Sequence, residues 1–156
     1  MDERQKIQQL FQFDLWCNRR LAGLVMDEAP FPELETCISL LSHIINAQEI
    51  WFYRVVKIPA PDIVIWGKHE PEELTDKAEQ AHQKWVDLIG DHEADLETEI
   101  HYAKTKGQNF QNSLWQIAHH LIIHGQHHRA QISLLLRKCD IVPPPIDYIY
   151  YTRLDL

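Results

Sequence analysis

The sequence predicts an all-α protein, an up-down-type four-helix bundle with one long irregular connection between the third and fourth helices. Three observations support this fold class. Four segments carry apolar residues at helical spacing, prolines fall between the segments, and no Ser/Gly-rich linker interrupts the chain. A length of 156 residues without internal repeats fits one domain, residues 1–156. A different all-helical packing of the same segments is the alternative.

Prolines bound the first two predicted helices. The first runs from about Glu3 to Met26 and ends at Ala29-Pro30-Phe31-Pro32, because proline disfavours helix at its own position and at the preceding one. The second runs from about Glu35 to Lys57 and stops before Pro59 and Pro61. Its apolar residues cover nearly the whole circumference, which is expected of a helix wedged between neighbours.

The third and fourth helices have clear start signals. The third begins near Pro71, followed by two acidic residues that suit a first turn, and ends at Gly90. The fourth opens at Asn112-Ser113 as cap candidates and runs to about Lys138. Between them, Glu97 to Phe110 forms either a short hairpin or a loop. The tail after Pro143 is expected to be extended and packed through Ile146, Tyr148 and Tyr150.

Composition and charge exclude several classes of function. A formal charge of −8 argues against nucleic-acid binding, which depends on clustered Lys and Arg. The most hydrophobic stretch, Ile38 to Val56, contains charged and amide side chains that a membrane span rarely carries, and the charged N-terminus is unlike a signal peptide. Three cysteines without CxxC spacing suit reduced thiols. We therefore predict a cytoplasmic protein with neither a nucleic-acid nor a membrane partner.

Five of the ten histidines lie in one ten-residue stretch of the fourth helix, residues 119–128. On a helical wheel, His128 lies inside the core-facing sector and His124 lies at its edge, four residues apart on one face. His120 lies on the flank, whereas His119 and His127 point away from the core. Two inward imidazoles at this spacing can chelate one metal ion.

A structural role for these histidines is the alternative, because an inward His is often a hydrogen-bonded core residue. A metal site needs a third ligand, and the second helix offers His43 in LLSHIINAQEIW. The wheel gives that helix no preferred face, so His43 taken alone is more often structural than a ligand. Gly125, which costs about 1 kcal/mol in a helix interior, suggests that another helix or a ligand approaches closely.

Three motifs together resemble a known family. The combination of WCNRR, LSHIINAQEIWFYRV and HGQHHRAQISLLLR is similar to the DinB-like (DinB/YfiT) four-helix-bundle proteins, over nearly the whole chain. The resemblance implies a divalent metal ion bound by His43, His124 and His128. Ala130 stands where family members often have glycine, a departure that leaves the implied ligands untouched.

The resemblance implies a metal centre that activates a small thiol or water, as in a thiol S-transferase, an isomerase or a hydrolase. Three imidazoles suit zinc or nickel, and three protein ligands leave positions open to water or substrate. Gly125 occupies the place of the glutamate base of HExxH proteases, which argues against peptide hydrolysis. The implied partner is a small molecule such as a low-molecular-weight thiol. A non-catalytic metal-binding or stress-related module and a metal-free helical interaction domain are the alternatives.

The remaining polar and aromatic residues receive weaker interpretations. Arg129 either orients an anionic substrate, supports the ligands from behind or forms a surface salt bridge, and Glu49 is a candidate acid or base. The scattered histidines are expected to be solvated: His69, His82, His92 and His101. The five tryptophans are expected mostly in the core, with one or two lining a pocket near the metal. Related bundles are commonly homodimers, and Ile122 and Ile123 are candidate solvent-side contacts.

Overall fold

A computed structural model of the protein describes residues 1–103 and 107–154. Four long helices dominate this part of the chain: α1 (Glu3–Asp27), α2 (Leu34–Val56), α3 (Leu74–Gly90) and α4 (Leu114–Lys138). The predicted all-α four-helix fold is confirmed, and each helix boundary falls within a few residues of its expected position.

Local signals in the sequence set the ends of α1 and α2. The carboxylate of Asp2 accepts a hydrogen bond from the backbone N–H of Gln5 at 2.8 Å, which satisfies one of the free N–H groups of the first turn. The helix ends at Asp27, ahead of Pro30. The second helix ends where Lys57 adopts a left-handed conformation with φ 55°, two residues before Pro59.

The connection between α3 and α4 is a hairpin, one of the two predicted alternatives. Strands β1 (Glu99–Ala103) and β2 (Asn109–Ser113) pair antiparallel, although Thr105 and Lys106 of the expected turn lie outside the described residues. Helix α4 follows directly after Ser113, whose amide donates to Oε1 of Gln116 at 3.0 Å. This bond fixes the start of the helix that carries the histidine run.

The helices pair in two antiparallel sets. Helix α3 lies antiparallel to α1, since Arg4 contacts the Ile89 carbonyl near one end and Arg19 pairs with Glu79 near the other. Helix α4 likewise lies antiparallel to α2. A 3-10 turn at Pro71–Glu73 precedes α3, and the long stretch 57–73 returns along the bundle, so that α2 and α3 run in the same direction. The helices therefore do not alternate in direction as the predicted up-down order requires. The reason is this second long connection, which the prolines marked only as the end of the second helix.

Two apolar clusters form the core, one in each half of the bundle. Phe11 and Trp85 stack in one of them at 5.5 Å between ring centroids. Burying each such side chain contributes about 1.5–3 kcal/mol. Ile122 belongs to the same cluster and is 7% exposed, so its predicted place on the solvent side is wrong, whereas Ile123 is 68% exposed as expected.

The C-terminal tail departs from its prediction. Residues Tyr148–Tyr151 form a short helix, α5, instead of an extended segment. Ile146 is buried as expected, but Tyr148 and Tyr150 remain exposed. The ring of Tyr148 still packs edge-on against Phe13 at 5.1 Å between centroids, so the tail is anchored to α1.

Candidate metal centre

Helices α2 and α4 bring three imidazoles together. Nε2 of His43 lies 3.1 Å from Nε2 of His124, and Nε2 of His128 lies 3.1 Å from the same atom. One ring nitrogen of each residue lies within 4.8 Å of the other two. The helical wheel predicts His124 and His128 as ligands, and the family resemblance implies His43; all three lie in one cluster.

The outer ring nitrogens fix which imidazole atoms face the cluster. Nδ1 of His43 lies 3.1 Å from the Ile65 carbonyl, and Nδ1 of His128 lies 2.7 Å from Oε1 of Gln131. Both partners are oxygen atoms that only accept hydrogen bonds, so each Nδ1 carries a proton, and in the neutral ring each Nε2 then presents a lone pair. This arrangement is the one in which metal-binding histidines donate their second N–H to a carbonyl oxygen.

The local environment favours the neutral form of the His124 and His43 rings. Burial is the main cause that lowers the pKa of His124 to about 4, and the neighbouring His128 and His43 lower it further. Burial also lowers the pKa of His43. Because only neutral imidazole coordinates a metal ion, both shifts favour the ligand form at neutral pH.

Two of the three nitrogen–nitrogen separations fit a bound first-row metal ion. Two nitrogens at about 2.1 Å from one ion lie about 3.0–3.4 Å apart for octahedral to tetrahedral angles, and the two observed separations of 3.1 Å fall in this range. Within residues 1–103 and 107–154, no Cys, Asp or Glu joins the three-histidine group. A closed structural zinc site normally has a fourth protein ligand, so this donor set suits an ion with open positions.

The connection before α3 covers one side of the cluster. The indole of Trp66 stacks on the His43 ring at 3.7 Å between centroids and 8° between planes, and is 52% exposed. Asn46 holds this connection by donating to the carbonyls of Val64 at 3.1 Å and Gly67 at 2.8 Å. Trp66 is therefore the tryptophan that lines the site, while the other tryptophans pack elsewhere.

The other histidines of α4 stay outside the group. His127 and His120 are exposed, and the His120 ring lies 5.6 Å from that of His124 and edge-on to Trp51 at 5.8 Å. His119 does not point freely into solvent, because it is half-buried and its Nδ1 lies 2.8 Å from the Trp115 carbonyl of its own helix. The predicted sorting of the run by direction is otherwise reproduced.

Two scattered histidines are not solvated as expected. His69 is half-buried, and its Nε2 lies 2.7 Å from Oδ1 of Asn46. His82 is half-buried with Nδ1 at 3.1 Å from the Phe11 carbonyl, and burial lowers the pKa of both rings. His92 and His101 are exposed as predicted.

A buried ion pair lies behind the α4 histidines. Arg129 is 0% exposed and donates through Nη1 to Asp14 at 2.6 Å and to Asn18 at 2.9 Å. Gln48 of α2 donates to the other oxygen of Asp14 at 2.6 Å. The expectation of a substrate-facing or surface Arg129 is therefore wrong: the side chain joins α1, α2 and α4 inside the core.

Gly125 makes room for this pair. A Cβ at that position would lie 2.6 Å from Oδ1 of Asp14 and 2.8 Å from Nη1 of Arg129. The close approach inferred from its mid-helix position is confirmed, and the neighbour is a side chain of α1.

The remaining candidate groups lie away from the cluster. The carboxylate of Glu49 pairs with Lys84 of α3 at 2.6 Å. All three cysteines are free thiols, and burial raises the pKa of Cys17 to about 12 and that of Cys37 to about 11. None of the three belongs to the histidine group, in agreement with their interpretation as packing residues.

Sequence reasoning missed two contributors to the site, the Ile65 carbonyl and Gln131, and it predicted a tryptophan near the metal without identifying Trp66. Ile65 and Trp66 come from a connection without periodicity, which carries no signal about where it crosses the bundle. Gln131 could have been found, because it lies three residues after His128 on the same helix face.

The fold and this site define a helical-bundle protein with a three-imidazole cluster at the interface of two helices. The sequence profile of the DinB family matches residues 27–155, and the chain belongs to this family. No curated protein sequence shows significant similarity to the chain. Among the described residues, none of the helices combines the length and apolar character that crossing a bilayer requires.

Proposed function

We propose that this protein is a metal-dependent enzyme that activates a small thiol or water, of the thiol S-transferase-like or hydrolase-like type. One observation carries the proposal: the Nε2 atoms of His43 and His128 each lie 3.1 Å from Nε2 of His124, so that three imidazole nitrogens converge. Membership of the DinB family supports the same conclusion.

Zinc or nickel suits a nitrogen-only donor set of this kind, and copper would compete well. His43, His124 and His128 would hold the ion. Such an ion lowers the pKa of a bound thiol or water and polarises a carbonyl of the second reactant.

The protein groups around the cluster have separate tasks in this proposal. The Ile65 carbonyl and Gln131 keep two rings in the tautomer that coordinates. Trp66 covers the outer face of His43 and limits its contact with water. His120, which is exposed and whose ring lies 5.6 Å from that of His124, would take a proton from the thiol or water.

Metal analysis followed by an activity screen tests the proposal. The protein is purified without a His-tag or nickel resin, and we expect about one divalent ion per chain. Transfer of small thiols to electrophiles is then measured with and without the metal. Protein that neither carries nor takes up metal would indicate a metal-free interaction domain, and metal without any transfer or hydrolysis would indicate a non-catalytic binding module.

We further propose that the protein forms a homodimer through the exposed side of α4. Ile123 and Leu134 are 68% and 53% exposed, and their spacing of 11 residues places them within about 20° of each other on the helix. An apolar stripe of this kind suits a partner helix. We also propose that the protein is cytoplasmic.

A further inference from the structure

The connection between α2 and α3 contains a tight turn beside the metal centre. The backbone N–H of Gly67 donates to the carbonyl of Val64 at 2.8 Å, so residues 64–67 form a β-turn with Ile65 and Trp66 at its tip. A Cβ on Gly67 would lie 3.1 Å from the Val64 carbonyl oxygen, so the turn is closely packed on itself. The Ile65 carbonyl and the Trp66 indole, which both contact His43, are therefore presented by one turn.

One buried amide of α2 holds both ends of this turn. Asn46 is 3% exposed, and its Nδ2 donates to the Val64 carbonyl at 3.1 Å and to the Gly67 carbonyl at 2.8 Å. Carbonyl oxygens only accept hydrogen bonds, so the atom that faces them is the amide nitrogen. Its N–H groups thereby bridge the first and last residues of the turn.

The oxygen of the same amide is also used. Nε2 of His69 lies 2.7 Å from Oδ1 of Asn46, which accepts, so His69 donates and fixes the orientation of the amide. The backbone N–H of His69 donates to Oγ of Ser42 at 3.0 Å. Because Ser42 directly precedes His43 and Asn46 follows it by three residues, the connection is attached to α2 on both sides of the ligand.

The turn determines which nitrogen of His43 can coordinate. Nδ1 donates to the Ile65 carbonyl at 3.1 Å, so in the neutral ring Nε2 keeps the lone pair. Without that acceptor, the proton is free to move to Nε2. Nε2 of His43 would then donate to Nε2 of His124, which lies 3.1 Å away, and neither nitrogen would keep a lone pair for a metal ion.

We propose that Asn46 is a positioning residue of the metal centre: by holding the turn 64–67 at both ends, it keeps the Ile65 carbonyl on Nδ1 of His43 and Nε2 in the form that coordinates. Asn46 is not one of the three ligands, and it acts through the turn and His43. The inference rests on the proposed function, because it takes His43 as a ligand, but the effect on the imidazole exists without metal.

The tautomer of His43 in metal-free, full-length protein tests this role. Long-range ¹H–¹⁵N spectra at about pH 8, where the ring is neutral, distinguish a protonated from an unprotonated ring nitrogen. We expect Nδ1–H in the unsubstituted protein and a mixture of Nδ1–H and Nε2–H in Asn46→Asp, because an ionised carboxylate accepts from His69 but donates nothing to the two carbonyls. Asn46→Ala removes all of these side-chain bonds and should give a similar mixture.

Zinc affinity, measured by calorimetry, then connects the tautomer to the metal. Substitutions of groups that orient a metal-binding histidine typically weaken binding about 10- to 100-fold, and we expect a loss of this size in both variants. Ile38→Ala is the matched control, because Ile38 is 3% exposed in the same helix and belongs to a core cluster whose members lie outside the turn. This control should lower stability but leave the His43 tautomer and the zinc affinity unchanged.

The two measurements separate this inference from the proposed function. A protein that binds no zinc refutes the proposed function, and the tautomer comparison alone then decides the role of Asn46. Nε2–H in the unsubstituted protein, which needs no variant, or unchanged Nδ1–H in folded Asn46→Asp and Asn46→Ala would each overturn the inference. The same changes in Ile38→Ala, or a changed tautomer with unchanged zinc affinity, would overturn it as well.

Discussion

The substitution Gly125→Ala should destabilise the protein, although glycine to alanine in a helix interior normally stabilises. The intrinsic helix propensity favours alanine by about 1 kcal/mol. The added Cβ, however, would lie 2.6 Å from Oδ1 of Asp14 and 2.8 Å from Nη1 of Arg129. Ordinary contacts begin near 3.4 Å, so the two charged groups must separate or the helices must move apart.

The magnitude follows from the burial of the ion pair. Side-chain exposure of Arg129 and Asp14 is 0% and 3%, so neither group can exchange its partner for water. Removing one partner of a buried pair costs about 3–5 kcal/mol, and this is the upper limit here because Gly125→Ala displaces the two groups without removing either. Subtracting the propensity gain of about 1 kcal/mol leaves a net loss of at most about 2–4 kcal/mol in the free energy of unfolding.

Urea denaturation of metal-free protein measures this loss. With an m-value of about 2 kcal/mol/M, the midpoint should fall by at most about 1–2 M. The chain provides a matched control, since a Cβ on Gly23 of α1 would meet nothing within 4 Å. Gly23→Ala should therefore raise stability by about 0.5–1 kcal/mol. A Gly125→Ala variant as stable as Gly23→Ala would refute the argument that Gly125 is required by the ion pair.

Four further predictions follow from the site and the core. Zinc affinity, measured by calorimetry, should fall as pH decreases below 6.5, because protons then compete increasingly for the ligands. The pKa of His43 is lowered, and that of His124 is lowered to about 4, so these two rings remain neutral to a lower pH. A zinc affinity that rises on acidification would contradict this prediction. Copper or nickel should quench the fluorescence of Trp66, so Trp66→Phe should lose that quenching at unchanged metal stoichiometry, and equal quenching in both proteins would argue against the stack. Burial lowers the pKa of His82, so its contribution to stability is present above the unfolded pKa near 6.5 and is lost as pH falls through the folded pKa. In urea titrations, acidification should therefore reduce the free energy of unfolding less in His82→Gln than in the unsubstituted protein. Equal reductions would contradict this prediction. Light scattering should give twice 18.4 kDa for the unsubstituted chain and 18.4 kDa for Ile123→Glu, and a monomeric unsubstituted chain would exclude the proposed dimer.

The sequence predicted α4 and its histidines well because strong local signals define that helix. Ser113 marks its start, and the apolar period sets the direction of each side chain. His43 could not be oriented in the same way. Residues 41–48 of α2 are all buried, so their hydrophobic pattern contains no information about which neighbour each residue faces.

The errors arose where contacts are distant in sequence. Arg129 kept three alternative roles in the sequence interpretation because its partner Asp14 lies 115 positions away, where no local pattern indicates it. Ile122 was assigned to solvent because the wheel allowed one buried face, whereas α4 packs against a second cluster. The place of Trp66 depends on how the chain returns after α2, which no local period encodes.

Metal titration of single histidine variants tests the central claim most directly. His43→Ala, His124→Ala and His128→Ala should each abolish stoichiometric binding of zinc or nickel, because each removes one of three converging nitrogens. His119→Ala and His127→Ala should bind nearly as the unsubstituted protein does, and His120→Ala should show at most a small loss, since its ring lies 5.6 Å from that of His124. Loss of binding in His127→Ala together with retention in His124→Ala would contradict the assigned site.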